Sequence, residues 1–569
     1  MLRPYRWLAV FAAFLALVQS FTELYLPTLT ASIVDRGVVF GDTAYILRMG
    51  AVMLAVATAS LLAAFVGARC ASLVAVGFAR DLRSRLFAHI TRFSLHEFDK
   101  VGTATLITRT TNDVAQVQQM VFMSLRLMIR APLMALGGIV LAVAQDAKLS
   151  LIFVAAIPLL AAAIAVITRK GMPLFRSVQE RIDRLNLVTR EALTGVRVVR
   201  AFNRTEYEEH RFNEANEALT ETSVRVNRLM AAMDPVMATT MNLTIVAILW
   251  LGAVRVDLGE LQVGSMMAFI QYAMHIMFSL MMISMILVMI PRASVSAARI
   301  ADVLSIAPEI KDPEVPVEPE VDRGVVEFEN VTFYYPGAEA PALSNVSFRA
   351  NPGEVTAIIG SIGSGKSTLV GLLLRFYDVT SGSIRVDGVD VRHMSQQALR
   401  ERIAYVPQKA LLFSGTVREN LRYGRPGASD AELRQAAESA QAAEFVERLE
   451  GGYDAFIAQG GANLSGGQKQ RLTIARALVR RPRIYIFDDN FSALDFKTDA
   501  KVRQALRRET ADATVIIVAQ RVATIMDAHQ IIVLDAGKVV GIGTHQELLR
   551  SCQVYREIVA SQLSEEVIA

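Results

Sequence analysis

The sequence predicts two folds in one chain, a polytopic α-helical membrane domain followed by an α/β domain. The chain has 569 residues, which is long for a single domain. It is 53% hydrophobic with a mean hydropathy of +0.35, and the apolar excess lies before about Pro291. Farther along, the apolar run 355–359 predicts a buried strand, followed by a Gly-rich segment and a helical pattern. A strand, a Gly-rich loop and a helix in that order are typical of α/β domains.

Charge and cysteine content exclude two classes of function. The net charge is +4 and the pI is near 9.0, but Arg clusters in polar segments beside apolar helices, which fits membrane topology. No nucleic-acid recognition motif accompanies the charge, so we expect no nucleic-acid partner. Cys70 and Cys552 are the only cysteines, too few for a disulfide framework or a cysteine metal site.

Six apolar segments are long enough to cross a bilayer, since one helical crossing needs about 20 residues. The third begins with Arg126 and Arg130, so we expect its first part to lie outside the lipid. A tight turn, Asp146-Ala147-Lys148, joins the third segment to the fourth. The six segments are residues 7–28, 46–66, 121–145, 149–168, 233–253 and 263–290.

Two long polar segments, residues 71–120 and 169–230, are rich in Arg and have helical patterning with few Pro or Gly. The positive-inside rule places both of them, and the N-terminus with Arg3 and Arg6, in the cytoplasm. Six spans then return the C-terminal domain to the cytoplasm. We expect these segments to extend the membrane helices as long cytoplasmic arms, punctuated at Gly102 and Gly195, that couple the soluble domain to the membrane domain.

Polar side chains within the apolar segments are candidates for binding a substrate, because such residues are costly in lipid. The alternative for each of them is hydrogen bonding between helices. The last segment is also rich in Met, which suits an adaptable apolar wall as well as plain packing. The four candidates are Glu23, Asn242, Gln271 and His275.

The pattern Gly360-x4-Gly365-Lys366-Ser367 is a phosphate-binding P-loop. Glycines let several backbone N–H groups point into one concavity, and the following helix adds its positive N-terminus. The Lys supplies a charge for the β- and γ-phosphates, and the Ser hydroxyl can bind Mg²⁺. ATP and Mg²⁺ are therefore the expected cofactors. The predicted ATP-binding residues here are Gly360, Ser361, Gly363, Ser364, Gly365, Lys366, Ser367 and Thr368.

Four prolines interleaved with acidic residues between residues 308 and 319 predict a linker. We therefore expect a transmembrane domain at 1–307, a linker at 308–323 and a nucleotide-binding domain at 324–569. Tyr335 precedes the P-loop strand and is predicted to stack on adenine.

Four further motifs follow in the C-terminal domain. Gln408 ends a predicted strand and can reach Mg²⁺ or the attacking water. Residues 464–468, Leu-Ser-Gly-Gly-Gln, form a Gly-rich turn before a helix, a second candidate phosphate site. Asp488 ends an apolar strand, as expected of a Walker B carboxylate that binds Mg²⁺ together with Ser367 and Gln408. Asp495 follows shortly after.

In this order, the P-loop, Gln408, residues 464–468, Asp488 and Asp495 resemble the ATPase domain of ABC transporters. Six spans with long cytoplasmic arms ahead of it extend the resemblance to an ABC exporter half-transporter, and residues 102–113 and 191–202 resemble the family's two coupling regions. The resemblance implies that Tyr335 stacks on adenine, that Gln408 is the Q-loop residue and that Asp495 lies in the D-loop. It also implies that two such domains sandwich two ATPs, each between one P-loop and the partner's signature. The signature residues are Ser465, Gly466, Gly467 and Gln468.

The sequence departs from the family pattern at two catalytic positions. Asp489 stands where the family has a Glu general base, and its carboxylate is one methylene shorter, which holds an attacking water poorly. Gln520 stands where the family has a switch His; it can hydrogen-bond a γ-phosphate but cannot carry a proton. Ala458-Gln459 also replaces the usual Gly-Glu before the signature.

These departures suggest the degenerate-site subunit of a bacterial heterodimeric, multidrug-type exporter in the inner membrane. Its own site, with Lys366 and Gln408, would bind ATP and hydrolyse it slowly, while its signature serves a partner half-transporter that has the Glu and His. A hydrophobic or amphipathic substrate, such as a drug or lipid, is expected from this branch of exporters. Two alternatives fit the same sequence, a self-sufficient homodimeric exporter and an ATP-sensing regulatory subunit that transports nothing.

Overall fold

The computed structural model describes residues 2–492 and 494–562, with Leu287, Val288 and Phe496 described by their backbone alone. Its N-terminal half contains six long helices apolar enough to cross a membrane, which confirms the predicted polytopic fold. They are much longer than a bilayer requires, because the polar segments 71–120 and 169–230 continue them as helices. The six are Arg3–Val38, Thr43–Ile90, Thr103–Gln145, Leu151–Thr194, Thr205–Asp257 and Val263–Ser305.

Within these spans the regular α-helices are interrupted by short π-helical or 3₁₀ turns. Arg3–Tyr5 is a 3₁₀ turn, and Ile33–Val38, Arg109–Asp113 and Ser124–Met128 are π-helical. Asp146 Oδ1 accepts a 2.8 Å bond from the Leu149 backbone N–H in the predicted turn between the third and fourth spans. The α-helices are α1 (Arg6–Ser32), α2 (Thr43–Ile90), α3 (Leu95–Val101), α4 (Thr103–Thr108), α5 (Val114–Met123), α6 (Ile129–Gln145), α7 (Leu151–Thr194), α8 (Val196–Ala201), α9 (Thr205–Ala231), α10 (Met233–Asp257) and α11 (Val263–Ser305).

The first arm reverses through α3, which begins at a capping box formed by Ser94 and Glu97. The second arm reverses at Gly195, between α7 and α8, where the sequence predicts that this glycine interrupts the helical pattern. The chain divides into two compact units. Of the described residues, one unit contains those from Leu2 to Thr91 with Ala104–Ile306, and the other contains Arg92–Thr103 with those between Ala307 and Gln562. The short segment around α3 thus packs with the C-terminal unit, whereas the sequence analysis assigned it to the transmembrane domain.

The predicted linker is packed against its own unit. Val317 N–H donates to the His393 carbonyl at 2.9 Å, and the Arg375 guanidinium donates to the Lys311 carbonyl at 3.0 Å. Ile310 is buried. The prolines therefore mark a chain segment without helix or strand that is nevertheless held in place.

The C-terminal unit is an α/β domain with a six-stranded sheet in the order β12-β11-β3-β10-β9-β6. Its strands are parallel except β12. A second, antiparallel sheet has the order β2-β1-β4-β5, and β7 pairs with β8. The strands are β1 (Val326–Phe333), β2 (Leu343–Ala350), β3 (Val355–Gly360), β4 (Ser381–Val386), β5 (Val389–Asp390), β6 (Ile403–Val406), β7 (Gly415–Thr416), β8 (Phe456–Ile457), β9 (Ile484–Asp488), β10 (Thr514–Val518), β11 (Gln530–Asp535) and β12 (Lys538–Gly543).

Every residue of the central strands β9 and β10 is buried, which explains their continuous apolar sequence, since helices or a second sheet cover both faces of a parallel sheet. Three 3₁₀ turns, Gly452–Asp454, Gln459–Gly461 and Val522–Thr524, lie between the regular elements. The helices are α12 (Lys366–Leu373), α13 (Gln396–Glu401), α14 (Val417–Arg422), α15 (Asp430–Ser439), α16 (Ala443–Glu447), α17 (Gly466–Arg480), α18 (Phe496–Glu509), α19 (His545–Ser551) and α20 (Gln553–Gln562).

Candidate nucleotide site

The P-loop lies between β3 and α12, and its glycines are required by the backbone. Gly363 and Gly365 have φ of 81° and 97°, a region that L-residues with side chains rarely adopt. A Cβ on Gly365 would lie 2.8 Å from the Ala342 carbonyl oxygen, and one on Gly360 would lie 2.0 Å from the Leu534 carbonyl oxygen. The loop therefore keeps an open concavity directly before the N-terminus of α12, where a phosphate is favoured.

Lys366 folds back over this concavity. Its Nζ donates to the carbonyl oxygens of Gly360 at 2.9 Å and Ser361 at 2.7 Å. Burial lowers the pKa of Lys366, while the carboxylates of Asp489 and Asp488 act in the opposite direction. The ammonium group is thus held at the opening of the loop by two uncharged carbonyl oxygens. A phosphate oxygen carries negative charge and can therefore replace them.

Four parallel strands deliver the remaining polar groups to one edge of the sheet. β3 leads to the P-loop, β9 ends at Asp488, β6 is followed by Gln408, and β10 is followed by Gln520. Ligands of open α/β sheets bind at the carboxyl ends of the strands. The cavity at this edge has a volume of about 400 Å³. Its lining includes Tyr335, Gly363, Ser364, Gly365, Lys366, Ser367, Thr368, Gln408, Asp488, Asp489 and Gln520.

Asp488 is buried at the end of β9. Burial raises the pKa of its carboxyl group, and Tyr405, whose hydroxyl donates to Oδ2 at 3.2 Å, partly offsets that effect. Ser367 and Gln408 line the same cavity. A hydroxyl, an amide oxygen and a carboxylate are oxygen ligands that Mg²⁺ accepts, so these three residues fit the metal that accompanies ATP.

The carboxylate of Asp489 is hydrogen-bonded by the residues at both the Q-loop and the switch positions. Gln408 Nε2 donates to Asp489 Oδ2 at 3.1 Å, and Gln520 Nε2 donates to the same oxygen at 2.7 Å. Asp489 has a φ of 50°, the left-handed region that Asp tolerates better than most residues. The segments that follow β6, β9 and β10 are therefore joined through one carboxylate oxygen.

Burial also raises the pKa of Asp489. Because the folded-state pKa lies above that of the unfolded chain, the charge costs stability at high pH, and this cost disappears as the pH falls through the raised pKa. We therefore expect Asp489→Asn to raise the thermal unfolding temperature of the nucleotide-free ATPase unit at pH 7.5, by an amount that shrinks towards pH 4. Calorimetry of the full-length protein measures this.

Asp495→Asn is the control for that experiment. Asp495 accepts a hydrogen bond from the Thr498 backbone N–H at 3.0 Å, and such bonds lower its pKa. Its charge thus stabilises the fold at pH 7.5, and the Asn variant should show no gain there. A gain in both variants, or in neither, would contradict the assignment of a charge-burial cost to Asp489.

Tyr335 lies at the opposite side of the P-loop. Its hydroxyl is 2.9 Å from Thr368 Oγ1, and its ring packs edge-on against Tyr377 with centroids 5.5 Å apart. The residue is 39% exposed and lines the cavity, so a nucleotide base can reach it. This placement agrees with the predicted adenine-stacking role, which stays a prediction.

The signature residues and Asp495 do not line this cavity. Ser465 caps α17 in a capping box with Gln468, and Asp495 caps α18. Ser465, Gly466 and Asp495 are exposed, so both helix N-termini are accessible. The structure thus separates the predicted residues into one assembled site and one exposed set.

Sequence reasoning missed Tyr405, which contacts Asp488. The signal was its position three residues before Gln408 on β6, the strand that pairs with β9. Because Tyr405 pairs with Ile486 in a parallel register, its side chain emerges close to the end of β9. Only the strand order, which the sequence does not state, brings the two together.

In the membrane unit, the four polar candidates occupy different places. Gln271 and His275 line a cavity of about 580 Å³ together with Met237, Met241 and Met274, and Asn242 is exposed on α10. Arg130 Nη2 of another helix donates to Glu23 at 2.6 Å, and Gln19 Nε2 of the same helix donates to it at 2.8 Å.

The Glu23–Arg130 pair joins the first and third spans. The Arg130 side chain is 24% exposed and that of Glu23 is 20% exposed. Pairing lowers the cost of placing either charge near lipid. That the start of the third segment lies outside the lipid stays a prediction.

Two family models match the chain. The model described as the ABC transporter transmembrane region matches residues 9–281. The model described as ABC transporter matches residues 343–492. The two matched regions fall in the membrane unit and in the α/β domain.

Relatives and a solved structure match nearly the whole chain. An ABC transporter ATP-binding protein of Mycobacterium tuberculosis is 47% identical over 99% of this chain and 97% of its own length. A fatty acid ABC transporter ATP-binding/permease protein of Mycobacterium bovis is 35% identical over 91% of this chain and 82% of its own length. The structure of a bacterial Atm1-family ABC exporter with ATP bound matches with a TM-score of 0.81 and 28% identity, over 98% of this chain and 99% of the solved chain.

Proposed function

Because this chain belongs to the ABC transporter family, with transmembrane region and ATP-binding domain in one polypeptide, we propose that it is the degenerate-site subunit of an exporter heterodimer. In this proposal it binds Mg-ATP at its own P-loop and hydrolyses it slowly. Its signature completes the hydrolytic site of a second half-transporter that carries the Glu base and the switch His. ATP-driven export is the shared activity of both subunits.

The geometry around Asp489 is the observation that carries the proposal. Its Oδ2 accepts from both Gln408 and Gln520, so two amide donors hold one of the two oxygens of the carboxylate at the base position and leave only Oδ1 for a water. A general base must also bring its oxygen within hydrogen-bond reach of the water, and the short Asp side chain, tied at Oδ2, is poorly suited to that. Neither glutamine can accept or release a proton as a His does. This site therefore favours holding nucleotide over activating water.

The exposed signature supports the second half of the proposal. Ser465 has its backbone N–H and hydroxyl engaged in the α17 capping box, which orders the N-terminus of that helix without covering it. An ordered, exposed helix N-terminus is suited to the γ-phosphate of an ATP bound to the other subunit. Asp495 orders the start of α18 in the same way.

The tip of the second arm supports a coupling role. The short helix α8 has no buried residue, and Val198 and Phe202 are 61% and 74% exposed. Exposed apolar side chains at the end of a cytoplasmic arm indicate a docking surface. We propose that the partner's ATPase domain covers this surface and moves it when ATP closes the sandwich.

A hydrophobic or amphipathic substrate is proposed from the membrane unit. The cavity lined by Met237, Met241 and Met274 is mostly apolar, with Gln271 and His275 as its polar groups, and flexible thioethers adapt to different apolar shapes. One relative is a fatty acid ABC transporter, and this favours a lipid-like substrate over a drug. We propose a prokaryotic inner membrane location, with the N-terminus and the ATPase unit in the cytoplasm.

Reconstitution of the chain alone and with its co-expressed partner tests this function. We expect the chain alone to have a negligible Mg-ATPase rate and the complex to have a rate at least tenfold higher. Brisk hydrolysis by the chain alone would instead favour the homodimeric exporter. ATP added outside the same vesicles reaches only the transporters whose ATPase unit faces outward, so a fluorescent fatty acid added from outside should accumulate in the lumen only with ATP and both subunits. ATPase activity without such movement would favour the regulatory alternative.

A further inference from the structure

The last described residue of α20 bonds the loop that carries Gln520. Gln562 Nε2 donates to the Gln520 carbonyl oxygen at 2.7 Å, and Gln562 Oε1 accepts from the Val522 backbone N–H at 2.8 Å. One side-chain amide thus bonds the backbone on both sides of Arg521. Such a two-point contact fixes the loop's position better than a single bond, because sliding the loop breaks both bonds.

The loop that Gln562 holds extends into the nucleotide cavity through the Gln520 side chain. Gln520 Nε2 donates to Asp489 Oδ2 at 2.7 Å, and both side chains line the cavity with the P-loop. A continuous series of hydrogen bonds therefore runs from α20, through the Gln520 backbone and side chain, to Asp489. Moving the backbone of Gln520 would move its amide relative to the γ-phosphate position.

The helix that carries Gln562, α20, is firmly packed against its own domain. Tyr555 and Val559 of α20 are 0% and 1% exposed, and the Tyr555 hydroxyl is 2.7 Å from His545 Nδ1 of α19. Buried side chains at spacing i, i+4 hold one face of the helix against the domain. Gln562 itself is exposed, so its amide is available for the loop and contributes nothing to the core.

We propose that Gln562 is a positioning residue that holds the switch-loop residue Gln520 in place for ATP bound at this chain's own P-loop. The inference rests on the proposed nucleotide binding at that site. It assigns to α20 a direct influence on how long this site retains ATP.

The test measures the dissociation rate of a fluorescent ATP analogue, mant-ATP with Mg²⁺, from the full-length chain in lipid nanodiscs. Gln562→Ala removes both bonds to the loop, so we expect it to speed dissociation about twofold to tenfold, the effect of losing about one net hydrogen bond. Gln562→Glu keeps the acceptor for Val522 and loses the donor to the Gln520 carbonyl, so it should also speed dissociation. Gln553→Ala is the matched control, because Gln553 bonds Glu557 within the same helix at 2.9 Å.

A double variant separates positioning from a general structural effect. In the Gln520→Ala background, Gln562→Ala should add no further acceleration, because its effect passes through the Gln520 side chain. An equal acceleration in both backgrounds, or a dissociation rate that Gln562→Ala leaves unchanged, would overturn the inference. Failure of the parent chain to bind mant-ATP at all would instead contradict the proposed function of the site.

Discussion

Replacing Asp489 with Glu and Gln520 with His together is expected to raise hydrolysis at this chain's own site about tenfold to a hundredfold. A positioned general base contributes about a hundredfold to ten-thousandfold to a proton transfer, and part of that is recovered when the carboxylate reaches one methylene farther. The left-handed backbone at Asp489, with φ of 50°, strains a Glu slightly and limits the gain. The Mg-ATPase rate is measured in a complex whose partner has its own Glu base replaced by Gln.

The control for this gain is Asp489→Gln with Gln520→His, which has the longer side chain without the carboxylate. It should show no increase over the parent complex. A gain of the same size in the control would mean that the longer side chain or the shared Gln520→His, and not a carboxylate base, causes the effect. Absence of a gain in the Glu variant would show that slow hydrolysis at this site has another origin.

Lys366→Ala is expected to weaken ATP binding at the same site about tenfold to a hundredfold. The Nζ now bonds two P-loop carbonyls, and a phosphate would replace them with a charge-assisted bond. Hydrogen bonds to charged groups contribute about 1.5–3 kcal/mol, and 1.4 kcal/mol corresponds to a factor of ten in affinity. Equilibrium binding of mant-ATP to the full-length chain measures the loss.

Lys538→Ala is the matched control for the Lys366 variant, because Lys538 is an exposed lysine on β12 outside the cavity lining. It should bind as tightly as the parent. Equal affinity in the Lys366 variant would mean that nucleotide is held elsewhere in the chain.

The P-loop could be predicted from sequence because its function is local. The motif occupies eight residues and includes Gly360, Gly365, Lys366 and Ser367. The positive φ at Gly363 and Gly365 favours glycine at both positions. The strand and helix on either side have unambiguous patterns. Nothing in the remainder of the fold is needed to place a phosphate there.

The contacts around Asp489 could be predicted only in part. The sequence placed Gln408, Asp489 and Gln520 at the ends of three strands, and parallel strands end at a common edge. That two amides share one carboxylate oxygen follows from the strand order β10-β9-β6, which no local pattern encodes. Gln562 reaches the same loop from 42 residues farther along the chain, beyond any sequence motif.

In the membrane unit, hydropathy found the spans but not the pairing of their polar residues. Arg130, near the start of an apolar segment, forms an ion pair with Glu23 of the first span, and the two side chains are 24% and 20% exposed. Asn242, by contrast, is exposed on α10. Which face of a helix meets another helix is decided by packing in three dimensions, so single-residue polarity cannot determine it.

The most direct test of the central claim compares two variants of this chain in the assembled transporter. Asp489→Asn removes the degenerate base, and Ser465→Ala weakens the signature; the steady-state Mg-ATPase rate is the readout. Ser429→Ala, which removes the capping hydroxyl of α15 in an equivalent capping box, controls for the loss of a helix cap, about 1 kcal/mol. The account predicts a rate within twofold of the parent for Asp489→Asn and Ser429→Ala, and a loss of at least tenfold for Ser465→Ala. A tenfold loss for Asp489→Asn would contradict it and make Asp489 the working base of this exporter.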